Sequence, residues 1–379
     1  MSERSNALQR VDRIREAIEE AKLDALMISA PGEENLGMES RYYTSGFTGS
    51  AGVVLVTRDR SLIAADFRYT EQAEAECLPR GFEVFPALGA RKEWFAKFVG
   101  ESGIAGKRVG IATHDLTYAA RRSLTSLATS LPTKDRPKWV PAPDLLSKLR
   151  KTKDADELRL LQAAIDIADR AFEQLEAELV PETSELIAAE MFAANVKAEG
   201  GTSISFDTIV AGGPNGAMPH AKPTSAAIGG DCPIVIDMGA KFGGYCSDLT
   251  RTIVLGQQDA RFREIYSIVF EAQRAAIEGV EAGMTCVDAD GLARSVIEKA
   301  GYGERFGHGL GHGVGLAVHE DPYLGPNGSD TLEEGMVFTI EPGIYLPGWG
   351  GVRIEDIVVL ENGKARVLSK ARKLTPAGA

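Results

Sequence analysis

Apolar side chains recur three and four positions apart over residues 6–22 (Leu8, Val11, Ile14, Ala17, Ile18, Ala21), which predicts an amphipathic helix. Apolar runs at Ala25–Ile28, Gly52–Val56, Ser61–Ala65 and Arg108–Ile111 predict strands. The first ~150 residues therefore alternate helix and strand patterns as an α/β unit does. Between the first two of these strands lies a glycine-rich turn, Ser45-Gly-Phe-Thr-Gly-Ser-Ala-Gly52. It lacks the Lys-Ser/Thr ending and the GxGxxG spacing of a phosphate cradle, so it predicts a tight loop. Residues 131–143 carry four prolines, cannot continue a helix or a central strand, and predict a linker.

Asp154-x-x-Glu157 has the form of a capping box and opens a long amphipathic helix through Leu158, Leu161, Ile165, Ala168, Phe172, Leu175 and Leu179. The domain boundary falls near residue 150. Beyond it the pattern predicts helices at 154–179, 184–199, 259–281 and 286–300, and strands at Pro233–Met238, Cys246–Leu255, Val337–Ile340 and Gly351–Leu360. Helices mixed with hairpin-like strands predict an α+β domain with an antiparallel sheet.

The chain has 379 residues, which suggests two domains, and its 44% apolar and 25% charged content lets both build cores. A net charge of −12, spread along the chain, disfavours nucleic acid and anionic membranes as partners. No run approaches the ~20 apolar residues of a membrane span. The charged N-terminus lacks the apolar core of a signal peptide, so the expected location is cytoplasmic. Cys77, Cys232, Cys246 and Cys286 form no CxxC pair and are expected to be reduced, buried thiols.

Four of the five histidines, His220, His308, His312 and His319, fall within one hundred residues, among or just before Asp237, Asp248, Glu320, Glu341 and Glu355. A hairpin turning at Gly243-Gly244 could bring Asp237 and Asp248 to one face. One aspartate at a strand end is ordinarily a turn residue, but two carboxylates inside apolar strands need a partner or a metal. Glycines flank His308 and His312, allowing close backbone approach and arguing against a helical zinc pair; no HExxH or GxSxG is present. Glu341 and Glu355 also lie in or at the end of apolar strands. Four carboxylates and an imidazole suit two divalent ions, which ~3.5–4 Å apart can ionise a water and polarise a carbonyl.

Asp237, Asp248, His312, Glu341 and Glu355, in this order and with their flanking sequences, resemble the pita-bread metallopeptidases, a family that includes aminopeptidase P, prolidase and methionine aminopeptidase. Gly46-Phe-Thr-Gly-Ser50 and Asp66-Phe-Arg-Tyr-Thr-Glu-Gln72 resemble the first domain of bacterial Xaa-Pro peptidases, which methionine aminopeptidases lack. The resemblance implies an α+β chain in which a smaller α/β creatinase-type domain (1–150) precedes a catalytic pita-bread domain (151–379). It implies that Asp237 chelates one metal, that His312 and Glu341 hold the other, and that Asp248 and Glu355 bridge. His220, His319 and Arg353 would be catalytic, with His220, His308 and Tyr345 contacting substrate; Arg353 could instead pair a dipeptide's carboxylate or support Glu355. The cofactor would be two divalent ions per chain, manganese first, with zinc, cobalt or iron as substitutes. The implied activity is hydrolysis of the Xaa-Pro bond of short peptides by a metal-bridging hydroxide, as an aminopeptidase P with prolidase as the alternative. A creatinase-type hydrolase or a non-catalytic binding module ranks lower, because all five ligands are present. The expected assembly is a homodimer, with the first domain walling the site.

Overall fold

The computed structural model describes residues 3–32 and 34–374. It divides into two units, Met1–Arg150 and Lys151–Ala379. In the first, the chain forms α1 (Glu3–Glu20), β1 (Ala25–Ile28), α2 (Met38–Ser45), β2 (Val53–Thr57), β3 (Ser61–Ala65), α3 (Thr70–Cys77), β4 (Glu83–Pro86), α4 (Arg91–Glu101), β5 (Arg108–Ile111), α5 (Tyr118–Ala128) and β6 (Lys138–Pro141). Strands β1, β2 and β3 are buried at every position, so their sequences are continuous apolar runs rather than alternations. The six strands form one mixed sheet in the order β4-β3-β2-β1-β5-β6. Phe95 and Phe98 of α4 and Leu124 of α5 pack against Ala25, Met27, Leu55 and Val109 of that sheet. The proline-rich run is not wholly a linker: residues 138–141 form β6, parallel to β5 at the sheet edge. An edge tolerates Pro141, which has no N–H to donate. The two motifs of this unit meet: Ser50 Oγ lies 2.6 Å from Tyr69 Oη, and Gln72 Nε2 donates to Thr48 Oγ1 at 2.7 Å.

The chain leaves the first unit through α6 (Leu145–Lys151) and enters α7 (Ala155–Glu178) and α8 (Glu185–Ala198). The capping box is formed: Asp154 accepts from the N–H groups of Asp156 and Glu157, and Glu157 Oε2 accepts from Asp154 N at 3.1 Å. Such a cap contributes about 1 kcal/mol. There follow β7 (Ser203–Ile204), β8 (Ile209–Gly212), β9 (Ile234–Met238), β10 (Ala240–Phe242), β11 (Tyr245–Cys246) and β12 (Leu249–Ile253). Next come α9 (Ala260–Gly279), α10 (Cys286–Lys299), β13 (Gly311–Gly313), β14 (Glu320–Leu324), β15 (Val337–Ile340), β16 (Gly343–Leu346), β17 (Gly350–Arg353), β18 (Asp356–Glu361) and β19 (Lys364–Val367). The pairings within this unit are antiparallel. Helices α7 and α8 bury Phe172, Leu175 and Phe192 against the β12-β9-β8 sheet. Helices α9 and α10 bury Val269, Ala276 and Ala293 against the sheet containing β15 and β18.

Two expected strands are each broken in two. The segment expected at 246–255 leaves one sheet after Cys246 and joins another at Leu249. The segment expected at 351–360 pairs with β16 through Arg353, then with β15 from Asp356. Asp248 and Glu355 lie in these two crossings, and Glu341 lies in a third, between β15 and β16. A residue between two ladders is released from strict up-and-down alternation, so its side chain can aim where neither sheet alone would send it.

Candidate metal centre

The Gly243-Gly244 turn forms as expected, with φ of 55° and 87°, values that favour glycine in a two-residue hairpin. In the pairing of β9 with β12, Asp237 lies opposite Thr250, and Asp248 immediately precedes β12. Strand β13 brings His312 alongside. A Cβ on Gly311 would lie 2.0 Å from Thr339 O and one on Gly313 2.1 Å from Asp321 O, so the residues flanking His312 must be glycine for β13 to pack this closely.

The structure gathers all five expected ligands. Single oxygens of Asp237, Asp248 and Glu355 lie within 4.8 Å of one another, as do ligand atoms of His312, Glu341 and Glu355. Glu355 belongs to both groups. Asp248 joins the second side as well, in a third group with His312 and His319. His312 Nε2 is 3.3 Å from Glu341 and 3.6 Å from Asp248. Its Nδ1 lies 3.1 Å from Gly313 O and donates to it, which turns Nε2 toward the Glu341 and Asp248 carboxylates.

The electrostatics call for cations. Burial, and then the neighbouring Glu355, Asp237 and Glu341 carboxylates, hold the Asp248 carboxyl well above the usual range. Burial, then Glu341 and Asp237, do the same to Glu355. Burial also raises Asp237, against the pull of Arg353. Glu341 goes the other way: burial opposes its ionisation, but the hydrogen bond and charge of His312 bring it down to about 2. Three carboxyls are thus destabilised as anions by burial and by their acidic neighbours. Asp237 Oδ1 and Glu355 Oε1 are buried and have no hydrogen-bond donor among the described residues. Orphaned carboxylate oxygens converging with an imidazole Nε2 are a set of ligand atoms that divalent ions satisfy. The residues present fit two such ions.

Around this cluster runs a hydrogen-bonded frame. Arg353, 3% exposed, donates to Thr250 Oγ1 at 3.0 Å, Tyr345 Oη at 2.8 Å, Pro219 O at 3.3 Å and Asp237 Oδ2 at 2.6 Å. It therefore holds Asp237 directly and Glu355 through Thr250, and its bonds leave the guanidinium engaged inside the protein instead of open to a substrate carboxylate. Tyr345 Oη in turn bonds His308 Nε2 at 2.9 Å, and His308 Nδ1 bonds Gly309 O at 2.8 Å. Burial lowers the His308 pKa, so the ring is a neutral link in this chain. Thr250 Oγ1 donates to Glu355 Oε2 at 2.6 Å, and Thr339 Oγ1 donates to Glu341 at 3.1 Å. Neither threonine stood out in the sequence. Period-two alternation carries the signal: Thr250 lies two residues past Asp248 and Thr339 two before Glu341.

His220 and His319 are exposed. The His319 ring centroid lies 4.1 Å from that of His312, and the partial desolvation of its ring by surrounding protein, followed by His312, lowers its pKa. His220 is close enough to contribute to the depression of both His308 and His319.

Two family profiles match the chain. That described as Metallopeptidase family M24 matches residues 159–362, and that of the Creatinase/Prolidase N-terminal domain matches 10–152. A structure described as Xaa-Pro dipeptidase from Bacillus anthracis aligns with a TM-score of 0.88 at 38% identity, covering 97% of this chain and 99% of that one. The X-Pro aminopeptidase structure from Thermotoga maritima aligns at 0.86 and 34% identity, covering 96% and 98%. The Xaa-Pro dipeptidase of Pyrococcus horikoshii is 34% identical over 97% of this chain and 98% of its own. A creatinase-type first domain followed by a pita-bread domain whose acids and histidine converge on one centre places this chain in metallopeptidase family M24.

Proposed function

We propose that the protein hydrolyses the Xaa-Pro bond at the N-terminus of short peptides, using two divalent ions. The observation that carries this reading is the convergence of Asp237, Asp248, His312, Glu341 and Glu355 within linked groups of 4.8 Å. Asp237 would hold one ion, His312 and Glu341 the other, and Asp248 and Glu355 would serve both. Manganese is the metal proposed, because oxygen donors dominate the set. When bound, the ions supply Lewis acidity toward the scissile carbonyl and lower the pKa of water. The chain's own contribution is placement. His319, its ring tilted against that of His312, and His220 present exposed imidazoles whose nitrogens can bond the substrate and pass a proton at the scissile bond. Arg353, Tyr345 and His308 fix Asp237 and the wall beside it through the bonds described above. An Xaa-Pro bond has no amide N–H, so proteases that grip an extended strand handle it poorly; a metal-directed attack needs no such grip.

The sequence motifs of the first unit favour longer peptides. An X-Pro aminopeptidase structure and relatives named as Xaa-Pro dipeptidases all match nearly the whole chain; a dipeptidase structure matches at 38% identity against 34% for the aminopeptidase, so we adopt the dipeptide as preferred substrate. Cleavage of longer peptides is the second reading; it is favoured by the engagement of Arg353, which removes the obvious partner for a dipeptide's carboxylate. Measuring kcat/KM on Ala-Pro, Ala-Pro-Ala and Ala-Ala decides. A tenfold preference for Ala-Pro over Ala-Pro-Ala, ~1.4 kcal/mol, supports the dipeptidase. The reverse preference makes the enzyme an aminopeptidase, and equal cleavage of Ala-Ala removes proline specificity.

A further inference from the structure

His220 lies on the segment between β8 and β9, outside any helix or strand. Part of what fixes that segment is a buried carboxylate outside the proposed ligand set. Glu185, the first residue of α8, is 1% exposed, and its carboxylate accepts from Gly212 N at 2.9 Å, twice from Asn215 Nδ2 at 2.9 Å, from Thr224 N at 2.8 Å and from Thr224 Oγ1 at 2.7 Å. Its donors are neutral, and they belong to the two ends of one stretch, residues 212–215 and 224. Burying a carboxylate without a cation is tolerated only where several donors surround it, so the arrangement strongly favours one closed geometry of the stretch.

The consequence reaches the centre by two routes. Pro219 O accepts from Arg353, which also holds Asp237. The turn at Gly213–Ala217 lies against β17 so closely that a Cβ on Gly351 would sit 2.1 Å from Gly216 O. The stretch is thus pinned at its base by Glu185 and along its flank by β17, with His220 at its open side.

We propose that Glu185 is a positioning residue for catalysis, closing the base of the 212–224 stretch so that His220 is held over the metal centre. This rests on the role assigned to His220 above. Glu185→Gln keeps the shape but sets an amide N–H against the donors of Gly212, Asn215 or Thr224. The expected result on Ala-Pro is a fall in kcat of ~10–100-fold with KM within ~3-fold and two metal ions retained, because only the placement of a proton-handling ring changes. A double-mutant cycle separates positioning from folding: in the His220→Ala background, Glu185→Gln should lower kcat by no more than ~2-fold further. Asn215→Ala and Thr224→Val each remove part of the donor set; both should show smaller falls with the same non-additivity, and they carry the test where Glu185→Gln does not fold. The same loss of kcat with and without His220, or a loss of metal on changing Glu185, overturns the proposal. A His220→Ala enzyme with unchanged kcat overturns instead the assignment of His220 on which it rests.

Discussion

Replacing Asp248 with asparagine should make the metal-free protein more stable and the enzyme worse. The side chain is 5% exposed, and one of its oxygens lies within 4.8 Å of oxygens on Asp237 and Glu355. Two unit charges at that distance repel by ~3.5 kcal/mol at an effective dielectric constant near 20. Protonation relieves much of this, so the expected gain on removing the charge is about 1–3 kcal/mol. Its sign against pH follows from the direction of the shift. Asp248 is raised in the folded state, by burial and then by Glu355 and Asp237, so the folded metal-free protein binds a proton the unfolded chain has released. Wild-type stability from this group is therefore full below the unfolded carboxyl pKa and is lost as pH rises toward the folded value. The variant lacks that loss, and its advantage grows with pH. At ~2–4 °C per kcal/mol, metal-free Asp248→Asn should melt several degrees above metal-free wild type at pH 8, and much less so at pH 5. With manganese the order should reverse, because wild type gains more binding energy, and turnover of the variant should be down by ~10² or more. Calorimetry of chelated and loaded forms at both pH values, with Ala-Pro hydrolysis alongside, is the assay. A variant less stable than wild type in both forms, or one with unchanged turnover and full metal, refutes the reasoning.

Among the histidines, His312→Ala should strip metal, whereas His319→Ala should cut kcat with metal occupancy near normal; elemental analysis and kinetics distinguish them, and the opposite pattern exchanges the two roles. Tyr345→Phe removes the hydroxyl joining Arg353 to His308 and should lower stability by ~1–3 kcal/mol, read by urea melts, since it leaves buried partners unpaired. Metal affinity should rise with pH, because Asp248 and Glu355, both raised in the metal-free protein, must shed protons to bind; calorimetric titration in buffers of different ionisation enthalpy should show proton release, and none would contradict the assignment.

The long helices of the second unit were legible because their apolar spacing is regular: α7, α8, α9 and α10 begin and end within two residues of the periodic runs, whereas the shorter helices α2 to α6 were not read from the sequence. The acids of the proposed metal centre were legible because a carboxylate inside an apolar strand is costly to bury unless a cation or a set of donors meets it. What the sequence hid was the crossing of strands between sheets. The runs 246–255 and 351–360 read as single strands because no glycine or proline interrupts them at Asp248 or Glu355, whereas the pairing partners change across the two-residue gaps there. Short glycine-rich strands such as β13 carry too few apolar residues to register as strands, and β6 was masked by its prolines. The role of Glu185 was equally hidden, since its donors are backbone groups and small polar side chains that become neighbours only after folding.

The most direct test of two-metal hydrolysis is stepwise metal loading of the chelated enzyme, with bound ions counted by elemental analysis and Ala-Pro hydrolysis followed at each step. The expected result is negligible activity without metal, binding that saturates close to two ions per chain, and full activity only with both ligand groups filled. Full activity in the metal-free protein, or saturation with a single ion, would contradict it.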